Sequence, residues 1–136
     1  MLSLRALPML AIALILYNAV VLSFGPDILN RVLWTMPMLR GGEWRFTISD
    51  LILVVTILMF FIEIIKSTFT GASAILDHAL SLVLFIVAGL EFLIVPQAAT
   101  STFFFVMLLT LIDVVAGYTI GIQTARRSVS VGGQDN

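Results

Sequence analysis

The chain contains no cysteine and a single histidine. The first absence excludes disulfides, thiolate chemistry and cysteine-ligated metals, and the second removes most histidine-rich metal sites. Charge is also scarce. Only 11% of the 136 residues are Asp, Glu, Lys or Arg, where about a quarter is usual in a soluble domain. No basic patch offers a footprint for nucleic acid, and the net charge of −1 points to no partner. Strict alternation of apolar and polar residues is absent, which argues against a membrane barrel. No internal repeat is found.

Apolar side chains take the place of all these. They make up 60% of the sequence, and the mean hydropathy is +1.14. A soluble fold of this length has too little interior to hide so much apolar surface. A bilayer supplies the missing apolar solvent. A helix needs ~20 apolar residues to cross its hydrocarbon core, and four segments qualify, at about 6–24, 48–67, 75–95 and 102–124. Backbone groups in lipid must be satisfied within the protein, so each is read as a helix. The expected fold is all-α: an integral membrane four-helix bundle forming one domain over 1–127, with a polar, disordered tail at 128–136.

The first span contains one strongly polar residue, Asn18, and closes at Gly25-Pro26. Its apolar run exceeds the ~7–15 residues of a secretory signal core, so it is read as retained. Thr47 and Asp50 carry the spacing of a capping box at the start of the second span. Pro96 stops the third, and Arg126-Arg127 end the fourth. The short connections at 68–74 and 96–101 predict antiparallel hairpins joining helices 2, 3 and 4. The connection 25–47 is longer. In it Ile28, Leu29, Val32, Leu33 and Met36 recur at helical spacing, opposite Asp27, Asn30, Arg31 and Thr35. That spacing predicts a short helix lying in the interface, with Trp34 and Trp44 at headgroup level. Arg5, Lys66, Arg126 and Arg127 on one side outweigh Arg31, Arg40 and Arg45 on the other. The excess places both termini in the cytoplasm, in a plasma or inner membrane.

An ionised side chain at the bilayer centre costs roughly 2.5–3.5 kcal/mol on insertion scales, so each acid within a span requires a reason. Asp50 and Asp77 stand in first helical turns, where a carboxylate meets the positive end of the helix dipole. His78 is read as an interfacial residue. Glu63 and Lys66 are spaced to pair along one helix, with Lys66 reaching toward the headgroups. Glu91 lies near the C-terminal end of its helix, where a carboxylate is disfavoured, and Arg40 or Arg45 is its expected partner. Asp113 falls near the middle of the fourth span, beyond the reach of capping or snorkelling. It must be protonated, face water or find a partner, such as Asn18 or Thr56, on another helix. Projected at ~100° per residue, Asp77, Ser81, Leu84, Ala88 and Glu91 share a face of helix 3. Thr110, Asp113, Gly117 and Gly121 share a face of helix 4, and Thr56, Phe60 and Glu63 a face of helix 2. Turned toward each other, the stripes make a polar seam of Asp113, Glu91, Glu63, Lys66 and Asp77. Gly117 and Gly121 form a GxxxG that lets helix backbones approach closely.

Phe60-x-x-Glu63 together with Asp77 resembles part of a voltage-sensor domain, itself a bundle of four membrane helices. The resemblance would make these residues a catching site for moving arginines. Helix 4 departs from that pattern, because no Arg or Lys occurs between Ser101 and Arg126. Voltage sensing in its usual form is therefore excluded.

Function is expected to lie in one of two classes. The first is an accessory or assembly subunit of a larger membrane complex, in contact with lipid and with other membrane subunits or copies of itself. The second is an oligomeric proton or cation pathway, or a small-solute transporter, using the intramembrane carboxylates. Catalysis is not expected, because hydrolysis needs a nucleophile with its base or a metal with several ligands. No cofactor and no metal are expected.

Overall fold

The structure, a computed structural model, describes residues 7–69 and 74–132. Four helices account for most of it: α1 (Leu10–Phe24), α2 (Ile48–Phe69), α3 (Ala74–Ile94) and α4 (Ser101–Gly132). Between α1 and α2 lie a short 3-10 turn (Pro26–Asn30) and two strands, β1 (Val32–Pro37) and β2 (Glu43–Thr47).

Three of the helices are long and apolar enough to cross a membrane, over Ile48–Ser67, Leu76–Ile94 and Ser101–Thr119. Within these stretches only 17%, 11% and 28% of residues are buried, so their apolar faces point outward. Ile57, Leu58, Phe61, Val83, Leu90 and Leu93 are among the side chains left bare. A soluble monomer does not expose such a surface, and it marks the chain as a membrane protein.

The first span is shorter than its apolar run. The helix begins only at Leu10, because Pro8 and Met9 form the turn that leads into it through Ala11 N–H to Pro8 C=O and Ile12 N–H to Met9 C=O. Its 15 residues rise ~22 Å, against ~30 Å of hydrocarbon. Its end is sharp. Gly25 adopts φ 86°, a region open to glycine, and its N–H closes on Val21 C=O.

The connection between α1 and α2 corrects the expected interfacial helix. Only Pro26–Asn30 turns helically. From Val32 the chain is extended and pairs antiparallel with β2, in the register Trp34 to Phe46, Thr35 to Arg45, Met36 to Trp44 and Pro37 to Glu43. β-Branched and aromatic residues fill both strands and fit a pleated surface better than a helix. Pro37 would break a helix at this point. Gly41, at φ 90°, with Gly42 makes the turn, and Met38 N–H closes it on Gly42 C=O at 2.7 Å. The apolar residues that recur at helical spacing belong instead to a hairpin.

β2 runs directly into α2. Thr47 N–H donates to Asp50 Oδ2 at 3.0 Å and Asp50 N–H returns to Thr47 Oγ1 at 3.3 Å, the reciprocal pair of a capping box. α4 packs against α2, α3 and α1, and α1 packs against α2. Consecutive α2 and α3, expected to form a hairpin with each other, both lean on α4 instead. The core lies among Leu14, Tyr17, Val21, Ile52, Ala88, Phe103 and Val106. α4 continues through Gly132, so 128–132, expected to be disordered, are helical. The remaining tail residues, 133–136, lie outside the described residues.

Candidate functional site

The buried polar side chains form two groups, one toward each end of the helices. The group nearer the α2 C-terminus starts from α1. A helix N-terminus leaves its first N–H groups without intrahelical partners and carries partial positive charge. Glu63 of α2 answers both needs, since its Oε2 accepts from Met9 N–H at 2.9 Å. Lys66 stands one turn on, with Nζ 4.0 Å from the same oxygen, and donates to Leu7 C=O at 3.1 Å. The two side chains therefore close the start of α1 from a neighbouring helix. Glu63 is buried, and the Lys66 side chain retains 19% exposure.

Asp113 of α4 is 5% exposed and lies within electrostatic range of Glu63 and Lys66, with the Ser81 side chain of α3 within hydrogen-bonding reach. Thr56, an expected partner, donates instead to Ile52 C=O of its own helix. Thr110, one turn before Asp113, likewise donates to its own helix at Met107 C=O. Asp77 occupies the first turn of α3 and is half-buried.

His78, one turn into α3, is half-buried and turned toward α4. Its ring packs against Gly117, where an added Cβ would stand 3.1 Å from Cε1 and 3.2 Å from Nδ1. Its Nε2 is buried without a hydrogen-bond partner among the described residues. At Gly117 the space left by the missing Cβ is therefore filled by an imidazole from α3 rather than by the backbone of a neighbouring helix. Surroundings of the Gly121 position lie outside the described residues. Gly117→Leu is expected to cost about 2 kcal/mol by overpacking, net of the ~1 kcal/mol that leucine gains over glycine in helix propensity. In a His78→Ala background most of that loss disappears. Thermal unfolding of the four members of the cycle in one detergent measures the coupling.

The second group lies at the opposite end. Tyr17 of α1 is fully buried, donates to Gln97 C=O at 2.9 Å and shares a hydrogen bond with Thr100 Oγ1 at 2.6 Å. Its ring meets Phe103 edge-on, with centroids 4.9 Å apart. Thr100 Oγ1 also accepts from Phe103 N–H, which caps α4. Ser49 of α2 hydrogen-bonds Thr102 of α4. Glu91, half-buried on α3, falls here, within electrostatic range of Tyr17. Neither Arg40 nor Arg45 pairs with it among the described residues; both lie exposed on the hairpin. The expected pairing fails because the arginines sit on a β-ribbon rather than on a segment folded back over α3.

The five seam residues are thus divided. Asp113, Glu63 and Lys66 are brought together, Asp77 stays in the first turn of α3, and Glu91 stands apart with Tyr17. Along α3, Leu84 and Ala88 separate Ser81 from Glu91; along α4, Phe103 and Val106 separate Thr102 from Thr110. Ala88, Phe103 and Val106 are fully buried. Tyr17 escaped the sequence reading. The available signal was a phenol within an aliphatic span, since a buried Tyr hydroxyl needs a partner. Among the described residues no group of three or more His, Asp or Glu is placed to hold a metal ion.

No family model, curated protein or solved structure matches the chain.

Proposed function

We propose that this chain is a small, non-catalytic membrane protein that crosses the bilayer four times as a helical bundle, with both termini on the cytoplasmic side of a plasma or inner membrane. In this reading it serves as an accessory or assembly subunit of a larger membrane complex. The use of the buried charges carries the reading. Glu63 and Lys66 are engaged with the first turn of α1, and buried apolar side chains lie between their cluster and Glu91. Charges deployed this way hold helices in place rather than line a route from one face to the other. The shortness of α1 adds support, since a span shorter than the bilayer is relieved by association with neighbours.

A second reading, an oligomeric proton or cation pathway or small-solute transporter, is favoured by one observation. Asp113 is buried within range of Glu63 and Lys66, and an acid so placed requires a partner or a task. Native mass spectrometry of the assembly, extracted gently from its own membrane, separates the two. Foreign subunits in fixed ratio are the expected result. A homo-oligomer alone would end the subunit reading, and loss of ion flux in Asp113→Asn would then support a pathway.

A further inference from the structure

The hairpin between α1 and α2 has two unlike faces. Partners in an antiparallel ladder project to the same side, and successive pairs alternate. Trp34, Met36, Trp44 and Phe46 therefore share one face, and Thr35, Pro37, Glu43 and Arg45 share the other. Ring contacts agree: Trp34 stacks on Phe46 at 4.2 Å, and Trp44 meets Phe46 edge-on at 5.6 Å. Phe46 is buried, but Trp34 and Trp44 remain 50% and 47% exposed. Among the described residues nothing covers the two indoles on this face. Arg31 and Arg40 flank β1, and Leu39 at the turn is fully exposed. An isolated two-stranded ribbon is marginal in water, so its apolar face calls for an apolar neighbour.

We propose that the aromatic face of this hairpin is a lipid-binding surface: it lies on the bilayer at headgroup depth, with the Arg31 and Arg40 guanidiniums on lipid phosphates and Thr35, Glu43 and Arg45 toward water. The inference rests on the membrane reading. Two observations select lipid as the occupant. β2 passes without a linker into α2, whose apolar outer face is continuous with the hairpin. The connection 25–47, meanwhile, carries three arginines (Arg31, Arg40 and Arg45) against two acids (Asp27 and Glu43), an excess that suits an anionic surface, and indole rings prefer the interface.

The two tryptophans of the chain are both in this hairpin, so intrinsic emission reports on it alone. The full chain would be reconstituted in phosphatidylcholine–phosphatidylglycerol vesicles. Lipids brominated on acyl carbons near the headgroup are expected to quench most of the emission, and aqueous acrylamide little of it. Arg31→Gln with Arg40→Gln is expected to weaken the preference for phosphatidylglycerol roughly fivefold per arginine removed. Quenching by acrylamide but not by bromolipid, in protein that floats with the vesicles, would overturn the proposal and leave the membrane reading standing. Shielding from both quenchers would overturn it in favour of a protein cover. Failure to float with the vesicles would overturn both.

Discussion

Glu63→Ala should destabilise the folded chain by about 3 kcal/mol. Removing one partner of a buried ion pair costs ~3–5 kcal/mol when the other charge is stranded. Lys66 is partly exposed and can swing toward the headgroups, which holds the loss at the lower end. The same change removes the acceptor for Met9 N–H, and a charge-assisted hydrogen bond is worth ~1.5–3 kcal/mol. Glu63→Gln keeps an oxygen facing Met9 and is expected to lose about half as much, because dipole and Lys66 lose only the charge. Denaturant unfolding in detergent gives the stabilities. Amide exchange adds a local readout, with the first turn of α1 opening sooner in Glu63→Ala than the body of α4. Equal stability and equal exchange would show that the capping contact carries no weight.

The largest loss is expected at Tyr17. Its side chain is fully buried against Phe103, and truncating a buried aromatic costs ~3–5 kcal/mol. Tyr17→Ala also leaves Gln97 C=O without its donor, so the upper part of that range applies. Tyr17→Phe isolates the polar share. It keeps the ring and removes the hydroxyl's bonds to Gln97 C=O and Thr100 Oγ1, at about 1–2 kcal/mol. Ordering of the three proteins by thermal unfolding tests this directly: parent, then Phe, then Ala. A Phe variant as damaged as the Ala variant would mean that the hydroxyl, not the ring, ties α1 to the start of α4.

Much of this architecture was legible in the chain because lipid imposes a simple demand. Long apolar runs between charged or proline-bearing connections are read as helices in lipid, and α2 and α3 follow their runs closely, while α4 continues past its run to Gly132. The capping box of Thr47 and Asp50 was legible for a similar reason, since its partners are three residues apart. The hairpin was misread because Ile28, Leu29, Val32, Leu33 and Met36 satisfy a helical period over a stretch too short to exclude a strand. Pro37 and the Gly41-Gly42 pair were the contrary signals. The polar groups show the deeper limit. Helix projections placed Ser81, Thr110, Asp113 and Glu63 on inward faces, and all are buried. Their partners were not readable, because they depend on depth and on which helices adjoin. Glu63 meets the N-terminus of α1 because that helix starts four residues later than its apolar run and packs against α2.

The account depends most on α2, α3 and α4 crossing the bilayer, so that the hairpin and the end of α4 lie on opposite sides. Because the chain has no cysteine, a single introduced thiol is unambiguous. Glu43→Cys on the water-facing side of the hairpin and Arg126→Cys on exposed α4 would each be treated with a membrane-impermeant maleimide in intact cells. Labelling at position 43 without permeabilisation, and at position 126 only after it, is the expected result. Both thiols reacting in intact cells, or both staying protected, would contradict three crossings between them and with them the membrane architecture proposed for this chain.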